Sequence, residues 1–295
     1  MLPLASIPRR LFGQEKALTA VGILGLALAG GCGAAALFRG TPVVEPGGDL
    51  IRAVSFDGAV GLWVLTIAAL LPYSGFGSRV RRIWRISFVV TMLVFYFGET
   101  FAAVRGHDPR FFSGFPLLDQ VVATLFGLTA GIVILQFLVF GASFFTRRAS
   151  DRAPHLTTGV RWAVAANVVA LGVGIWMIVM QGRAVGEGGS AIWSHAIGFH
   201  ALQAVPLVGW LAGRSGESRT RARGRVHAAG ALWLMVTVGA LVQAAQGLPP
   251  FAPAPASAAS AAALAGWLVV LAGTLRAARP SSPSRALAVG APARE

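Results

Sequence analysis

The chain has 295 residues, of which 55% are hydrophobic and only 12% charged, and its mean hydropathy is +0.69. Apolar runs of about 20 residues recur along it, which excludes an ordinary soluble domain and predicts an all-α, polytopic transmembrane helix bundle. The net charge of +14 comes almost entirely from arginines between those runs, so it indicates membrane topology rather than nucleic-acid binding. The single cysteine, Cys32, excludes an intramolecular disulfide.

Eight apolar runs predict eight transmembrane spans. They cover residues 17–38, 50–71, 83–104, 117–145, 159–181, 191–213, 226–246 and 258–277. We interpret residues 1–278 as a single transmembrane domain. Residues 279–295 are rich in Pro, Ser and Ala and are expected to form a disordered cytoplasmic tail. No internal repeat is evident in the sequence, so it gives no support to an inverted-repeat transporter.

The basic residues alternate between the two sides of the predicted spans. With both termini in the cytoplasm, 20 of the 25 lysines and arginines fall on the cytoplasmic side. The five on the outer side are Arg39, Arg52, Arg105, Arg110 and Arg183. This asymmetry is typical of a multi-pass protein of the bacterial inner membrane with an even number of spans.

The sixth run contains SHAIGFHALQAVPLVGWL (194–211), which is apolar enough to enter a bilayer but carries several polar groups. On a helix, Gln203 and His200 lie about 80° and 140° from His195, so all three fit one arc facing a bundle interior. Pro206 lacks an N–H and leaves the carbonyl of Leu202 free for another donor. These groups either bond neighbouring helices or form a functional site.

A simple structural role would account for each of two acidic residues in the outer half of the predicted spans. Asp119 begins the fourth span, where a carboxylate can cap the helix and suits its dipole. Asp57 lies in the second span, five residues after Arg52, and is expected either to pair with that arginine or to join a site.

Glu99 is the acidic residue that most strongly indicates a function. It lies near the C-terminal end of the third span, where a carboxylate opposes the helix dipole and needs a cation or a proton. Arg105 or Arg110, in the outer loop that follows, is expected to supply that cation. Together with His195 and His200, Glu99 falls in one outer layer of the predicted bundle.

Three chemistries fit this set of residues. Glu99, His195 and His200 are candidate ligands for iron, zinc or copper, and one haem near the outer face is a second candidate cofactor. In the third, Glu99 is a general acid or base towards a lipid-soluble substrate and a histidine relays the proton. In all three, Gln203, Arg105 and Arg110 are expected to contact the bound group. P-loop, dinucleotide, zincin and nucleophile-elbow motifs are absent from the sequence.

Two segments, FYFGETFAAVRGHDPRFF (95–112) and SHAIGFHALQAVPLVGWL, resemble a group of multi-pass bacterial membrane proteins that have no assigned activity. The resemblance implies that the two segments contribute to one site and supplies no reaction. The residues that recur in that group correspond here to Glu99, Arg105, Gly106, Asp108, Pro109, Arg110, Phe111, His195, His200, Gln203 and Pro206.

The sequence therefore predicts an inner-membrane protein with an outer-facing His/Glu site, which binds a metal or haem and is linked to redox chemistry. Its expected partners are the lipid bilayer and a lipophilic small molecule, with no nucleic acid. A transporter or channel for protons or a small solute is the first alternative, and an assembly subunit of a membrane complex is the second. The residues leave open whether the protein is an enzyme.

Overall fold

The computed structural model describes residues 13–110 and 116–279. The predicted all-α architecture is confirmed there, with eight long helices of 21 to 27 residues each. The helices are α1 Lys16–Arg39, α2 Leu50–Leu70, α3 Ser78–Val104, α4 Leu117–Ser143, a short α5 Arg147–Arg152, α6 Pro154–Val179, α7 Ala191–Ala212, α8 Arg219–Ala245 and α9 Pro255–Ala277. Nearly all of the predicted tail lies outside the described residues.

Seven of these helices are long and apolar enough to cross a membrane, which makes the chain a multi-pass membrane protein by length and composition. The remaining long helix is α7, which has 22 residues and contains no Asp, Glu, Lys or Arg. Its hydropathy falls short because His195, His200 and Gln203 interrupt it. These three polar residues therefore distinguish α7 from the seven other long helices in the described part of the chain.

Two short β-hairpins precede α2 and α7, and they are built in the same way. Strands β1 Val43–Val44 and β2 Gly48–Asp49 form the first, and β3 Ala184–Val185 and β4 Gly189–Ser190 form the second. Val43 pairs with Asp49 in the first hairpin, and Ala184 pairs with Ser190 in the second. Each residue of the second hairpin lies 141 positions after its counterpart (184 − 43 = 141).

The same offset relates backbone contacts outside the hairpins. The N–H of Gly47 donates to the carbonyl of Gly106 at 2.8 Å, and the N–H of Gly188 donates to that of Gly247 at 3.1 Å. Gly106 and Gly247 have φ values of 82° and 71°, a conformation that favours glycine. Helices α3 and α8 begin 141 residues apart and end 141 residues apart (219 − 78 and 245 − 104).

The chain is therefore an internal duplication, which corrects the absence of a repeat inferred from the sequence. Helices α1–α4 form the first repeat and α6–α9 the second, with α5 between them. The first helix of each repeat, α1 or α6, leads into a β-hairpin, so the two repeats cross the bundle in the same direction. Inverted repeats would cross it in opposite directions. The repeat escaped sequence analysis because it is carried by backbone geometry at a few glycines rather than by similar side chains.

Both hairpins lie at one end of the bundle, which we call the hairpin end. The segments after α3 (105–110) and after α8 (246–254) are at the same end, since Gly106 and Gly247 bond the hairpins. The segments that follow α2, α4 and α7 lie at the opposite end. Together with the N-terminal turns of the long helices that come after them, they carry most of the arginines of the described residues.

We predict that the hairpin end faces outward, and two introduced cysteines test this. In a Cys32→Ala background, a membrane-impermeant maleimide should label Ser78→Cys from the cytoplasmic side and Glu187→Cys from the outside. Both positions are exposed, whereas the neighbouring Gly186 has φ 58° and would be strained by any side chain. Labelling of both cysteines from the same side would contradict the predicted topology.

Candidate functional site

Arg110 joins two carboxylates at the hairpin end of the first repeat. Its Nη2 lies 2.6 Å from Oε2 of Glu99, which is only 1% exposed. Its Nη1 and its backbone N–H both donate to Oδ1 of Asp108 at 3.0 Å. The guanidinium also lies over the rings of Phe56 and Phe126, with its Cζ 4.8 and 5.5 Å from their centroids. Arg110 is therefore fixed by ion pairs on one side and by aromatic faces on the other.

Two further arginines surround this pair. Arg52, which is 46% exposed, lies 3.1 Å from Oδ2 of Asp108 and 3.5 Å from Asp49. Arg183 immediately precedes the second hairpin and is within electrostatic range of Arg110, Asp108 and Glu99. Its backbone carbonyl accepts from the N–H of Ala191 at 2.9 Å, but no side-chain hydrogen bond or ion pair in the described residues involves its guanidinium. We call Arg52, Glu99, Asp108, Arg110 and Arg183 the arginine–carboxylate cluster.

Burial and neighbouring charges shift the pKa values of the two loop residues of this cluster, Asp108 and Arg183. Burial by itself raises the pKa of Asp108, but the charge and hydrogen bonds of Arg110 hold that pKa below its ordinary value. Burial lowers the pKa of Arg183, and the like charge of Arg110 acts in the same direction. The loop carboxylate is therefore held ionised, while the arginine opposite it lacks a direct partner among the described residues.

Asp57 lies beside the cluster on α2 and is fully buried. The hydroxyl of Thr100 donates to its Oδ2 at 3.0 Å, while Oδ1 has no partner among the described residues, and neither has the nearby hydroxyl of Tyr96. The expected pairing with Arg52 is not made. Five residues along a helix turn the two side chains about 140° apart, and Arg52 points to the rim.

Arg105 binds a different carboxylate from the one considered in the sequence analysis. Its Nε and Nη2 lie 2.6 and 2.9 Å from the two oxygens of Asp119, in the first turn of α4. Asp119 is 4% exposed and is the acidic residue in the first turn of α4, where a carboxylate suits the helix dipole. Arg110, the other arginine considered, is the partner of Glu99.

His195 packs against α6 within the second repeat. Its Nδ1 is 2.8 Å from the carbonyl oxygen of Ala170 on α6, and its ring packs edge-on against Phe199 at 4.8 Å. Arg110 and Arg183 are both within electrostatic range of the ring. Of the two histidines of α7, His195 is therefore the one associated with the arginine–carboxylate cluster.

His200 and Gln203 form a separate polar pair further along α7. His200 is exposed, and its Nδ1 lies 3.2 Å from Oε1 of Gln203. The amide of Gln203 donates to the hydroxyl of Thr66 on α2 at 2.9 Å. This pair links α7 to α2, and no described contact joins it to Glu99.

The donor geometry gives little support to a metal site at Glu99, His195 and His200. Among the described residues, no group of three or more His, Cys, Asp or Glu side chains is arranged to hold an ion. Oε2 of Glu99 is bonded to Arg110, and Nδ1 of His195 faces a carbonyl. The metal and haem assignments remain predictions.

Aromatic side chains separate the cluster from the opposite end of the bundle. One group lies directly beneath Arg110, with ring centroids 4.6 to 5.6 Å apart, and consists of Phe56, Phe95 and Phe126. The next group has Trp63 at its centre, with Phe88, Phe137 and Phe199 at 5.6 to 6.0 Å. Ring packing therefore continues from beneath Arg110 towards the opposite end of the bundle.

Comparisons with protein-family models, with curated proteins and with solved structures find no match to this chain. The function must therefore be argued from the geometry of the site.

We predict that Arg110→Ala lowers the free energy of unfolding by about 3–5 kcal/mol, because it leaves Glu99 buried without its cation and Asp108 with only the half-exposed Arg52. Arg52→Ala is the matched control, and its effect should stay below about 1 kcal/mol because Arg52 is half exposed. Thermal unfolding of the purified variants in detergent measures both. Equal effects of the two substitutions would contradict the central role of Arg110.

Proposed function

We propose that this integral membrane protein has eight spans and uses a carboxylate site near its outer face to exchange a proton with a lipid-soluble molecule. The observation that carries the proposal is the environment of Asp57. It is fully buried, has one unpartnered oxygen and adjoins the Arg110–Glu99 ion pair.

The duplication supports the eighth span and the orientation. Helix α7 occupies in the second repeat the place that α2 occupies in the first, so it should cross the membrane as α2 does. The arginine-rich end should face the cytoplasm and the hairpin end the outside. The cluster then lies in the outer leaflet of the bacterial inner membrane.

The environments of the two buried carboxylates, Glu99 and Asp57, favour different protonation states. Glu99 faces the guanidinium of Arg110 at hydrogen-bond distance, which favours the ionised form. Asp57 has only the hydroxyl of Thr100 as a direct partner, and a lone carboxylate in hydrocarbon is costly. We expect Asp57 to carry a proton near neutral pH. Neighbouring carboxyl groups of opposite protonation state are a recurring arrangement for acid–base chemistry.

The site can receive a lipid-soluble molecule because apolar side chains surround the charged groups. Phe56 and Phe126 line one side of Arg110. His195 and Arg183 lie on the side of the second repeat. A polar head group reaching this point would meet Arg183, which lacks a direct partner among the described residues. Asp57 would then serve as proton donor and Glu99, held by Arg110, as an ionised neighbour.

Infrared spectroscopy of the purified protein tests the assignment of proton states. We predict that the wild type shows a protonated-carboxyl C=O band near neutral pH, that Asp57→Asn loses this band, and that Glu99→Gln retains it. Asp57→Asn keeps the size of the side chain, so the fold should be maintained. If Glu99→Gln lost the band and Asp57→Asn kept it, Glu99 would be the protonated residue and the proposal would be contradicted.

Proton-coupled transport is a second candidate, and the duplication favours it because same-direction repeats occur in transporters. The two aromatic groups between the cluster and the opposite end weigh against it. Proteoliposomes containing a pH-sensitive dye distinguish the candidates. Internal acidification that depends on both Asp57 and an imposed pH gradient would favour transport.

The metal- or haem-binding alternative has its own test at His200. Because His200 is bonded to Gln203 and is separate from Glu99, we predict that His200→Gln retains the metal content, absorption spectrum and thermal stability of the wild type. Glutamine keeps a donor and an acceptor but is a poor substitute for imidazole as a ligand. Loss of stoichiometric metal or of a Soret band in this variant would re-establish the ligand role.

A further inference from the structure

The arginine-rich turn that begins α3 packs against the connection between α4 and α6, at the end of the bundle opposite the hairpins. The N–H of Gly75, just before α3, donates to the carbonyl of Ser143 at 3.2 Å. Nη1 of Arg152, at the end of α5, donates to the carbonyls of Pro72 and Ser74, both at 3.1 Å. These contacts place the arginines of α3 beside those of α5, which come much later in the sequence.

Arg81, in the first turn of α3, has no side-chain partner among the described residues. Its backbone N–H bonds the carbonyl of Gly77 at 2.9 Å, but no hydrogen bond or ion pair involves its guanidinium. The side chain is partly exposed, and only its Nε is enclosed without a partner. The two terminal nitrogens of Arg81 are therefore available to an ion from outside the protein.

The charges around Arg81 are mostly of its own sign. Arg152, Arg85 and Arg148 lie within electrostatic range of it, together with the carboxylate of Glu15. Arg85 occupies both oxygens of Glu15, through Nε and through Nη2, the latter at 2.8 Å. The other three arginines, Arg81, Arg148 and Arg152, are left without a carboxylate, and we call them the Arg81 cluster. Like charges in a partly buried place repel one another, so an anion there would be stabilising.

The second repeat shows that the fold does not require an arginine at this place. The 141-residue offset relates Arg81 to Ala222 and Arg85 to Val226, which are 2% and 0% exposed. A small apolar side chain therefore packs well at the same position of the duplicated architecture. Packing alone does not account for an unpartnered cation in the first repeat, and a binding role does.

Exposed apolar side chains indicate the depth of the Arg81 cluster in the membrane. Val80 and Ile83 on α3 are 51% and 60% exposed, and Phe145, just after α4, is 60% exposed. Apolar side chains that are exposed directly beside arginines are typical of the boundary between hydrocarbon and water. The cluster therefore lies at the level of the phospholipid phosphates.

We propose that the Arg81 cluster binds the phosphate head group of an anionic phospholipid from the adjoining leaflet. Guanidinium groups bind phosphate oxygens in a bidentate manner, and basic pockets between transmembrane helices bind acidic head groups. A zwitterionic head group would add an ammonium to a site that already has an excess of positive charge. Free phosphate has the same oxygens but lacks acyl chains to pack against the exposed apolar residues.

Thermal unfolding of the purified protein in neutral detergent tests the inference, with added phosphatidylglycerol, phosphatidylcholine or inorganic phosphate. Phosphatidylglycerol should stabilise the wild type, and the dependence of the Tm on lipid concentration gives an apparent Kd. Arg81→Ala and Arg148→Ala should each weaken that affinity by about fivefold, which corresponds to about 1 kcal/mol for one arginine. Arg82→Ala is the matched control, because Arg82 is exposed on the same turn, and it should have a much smaller effect.

A second measurement, without lipid, separates a binding role from a structural one. Arg81→Ala should then be at least as stable as the wild type, since it relieves repulsion and since Ala222 occupies the corresponding place in the second repeat. A lower Tm of Arg81→Ala without lipid would overturn the proposal.

Three other outcomes would also overturn it. They are equal stabilisation by phosphatidylcholine, equal stabilisation by inorganic phosphate, and equal weakening in Arg81→Ala and Arg82→Ala. Arg148 is exposed, so Arg148→Ala tests the site even if Arg81→Ala fails to fold. Asp57→Asn should leave the effect of phosphatidylglycerol unchanged, which distinguishes failure of this site from failure of the proton site.

Discussion

The cost of placing charge in hydrocarbon governs the arrangement of the first repeat. Glu99 and Asp108 are tolerated because one guanidinium, that of Arg110, reaches both and is itself packed against Phe56 and Phe126. Removing the guanidinium would leave the buried charge of Glu99 without compensation. Asp57 lacks such a cation among the described residues, where the hydroxyl of Thr100 donates to one of its oxygens and the other has no partner.

Backbone geometry holds the two repeats to one architecture although their side chains have diverged. Gly106 and Gly247 adopt positive φ at corresponding turns, and each accepts a hydrogen bond from a hairpin glycine. These contacts fix the segments after α3 and α8 against the hairpins. Within this shared frame the first repeat places Arg110 and Glu99, whereas the second places Phe251 and Ala240. One duplicated position thus supports a charged site in one half and carries apolar residues in the other.

Sequence alone determined the helices, because hydropathy and helix length are local properties. All eight long helices overlap their predicted runs, and the largest differences are at the N-terminal ends of α8, α3 and α6, which begin at Arg219, Ser78 and Pro154. The added residues of α3 and α8 are arginine-rich turns and those of α6 include His155, Thr157 and Thr158, so their polarity hides them from a search for apolar residues. The sequence also identified Glu99 as a buried acid needing a cation, from its place near a helix C-terminus.

Only the tertiary structure decided which partner each polar residue has. Arg110 rather than Arg105 binds Glu99 because the turn at Gly106 directs the loop back over α3, while Asp119 at the start of α4 holds Arg105. His200 lies apart from the cluster, and its side-chain partner is Gln203 on the same helix. The duplication was also hidden, since a few glycines and main-chain hydrogen bonds carry it. Contacts between distant segments depend on how helices pack, and hydropathy contains no information on that packing.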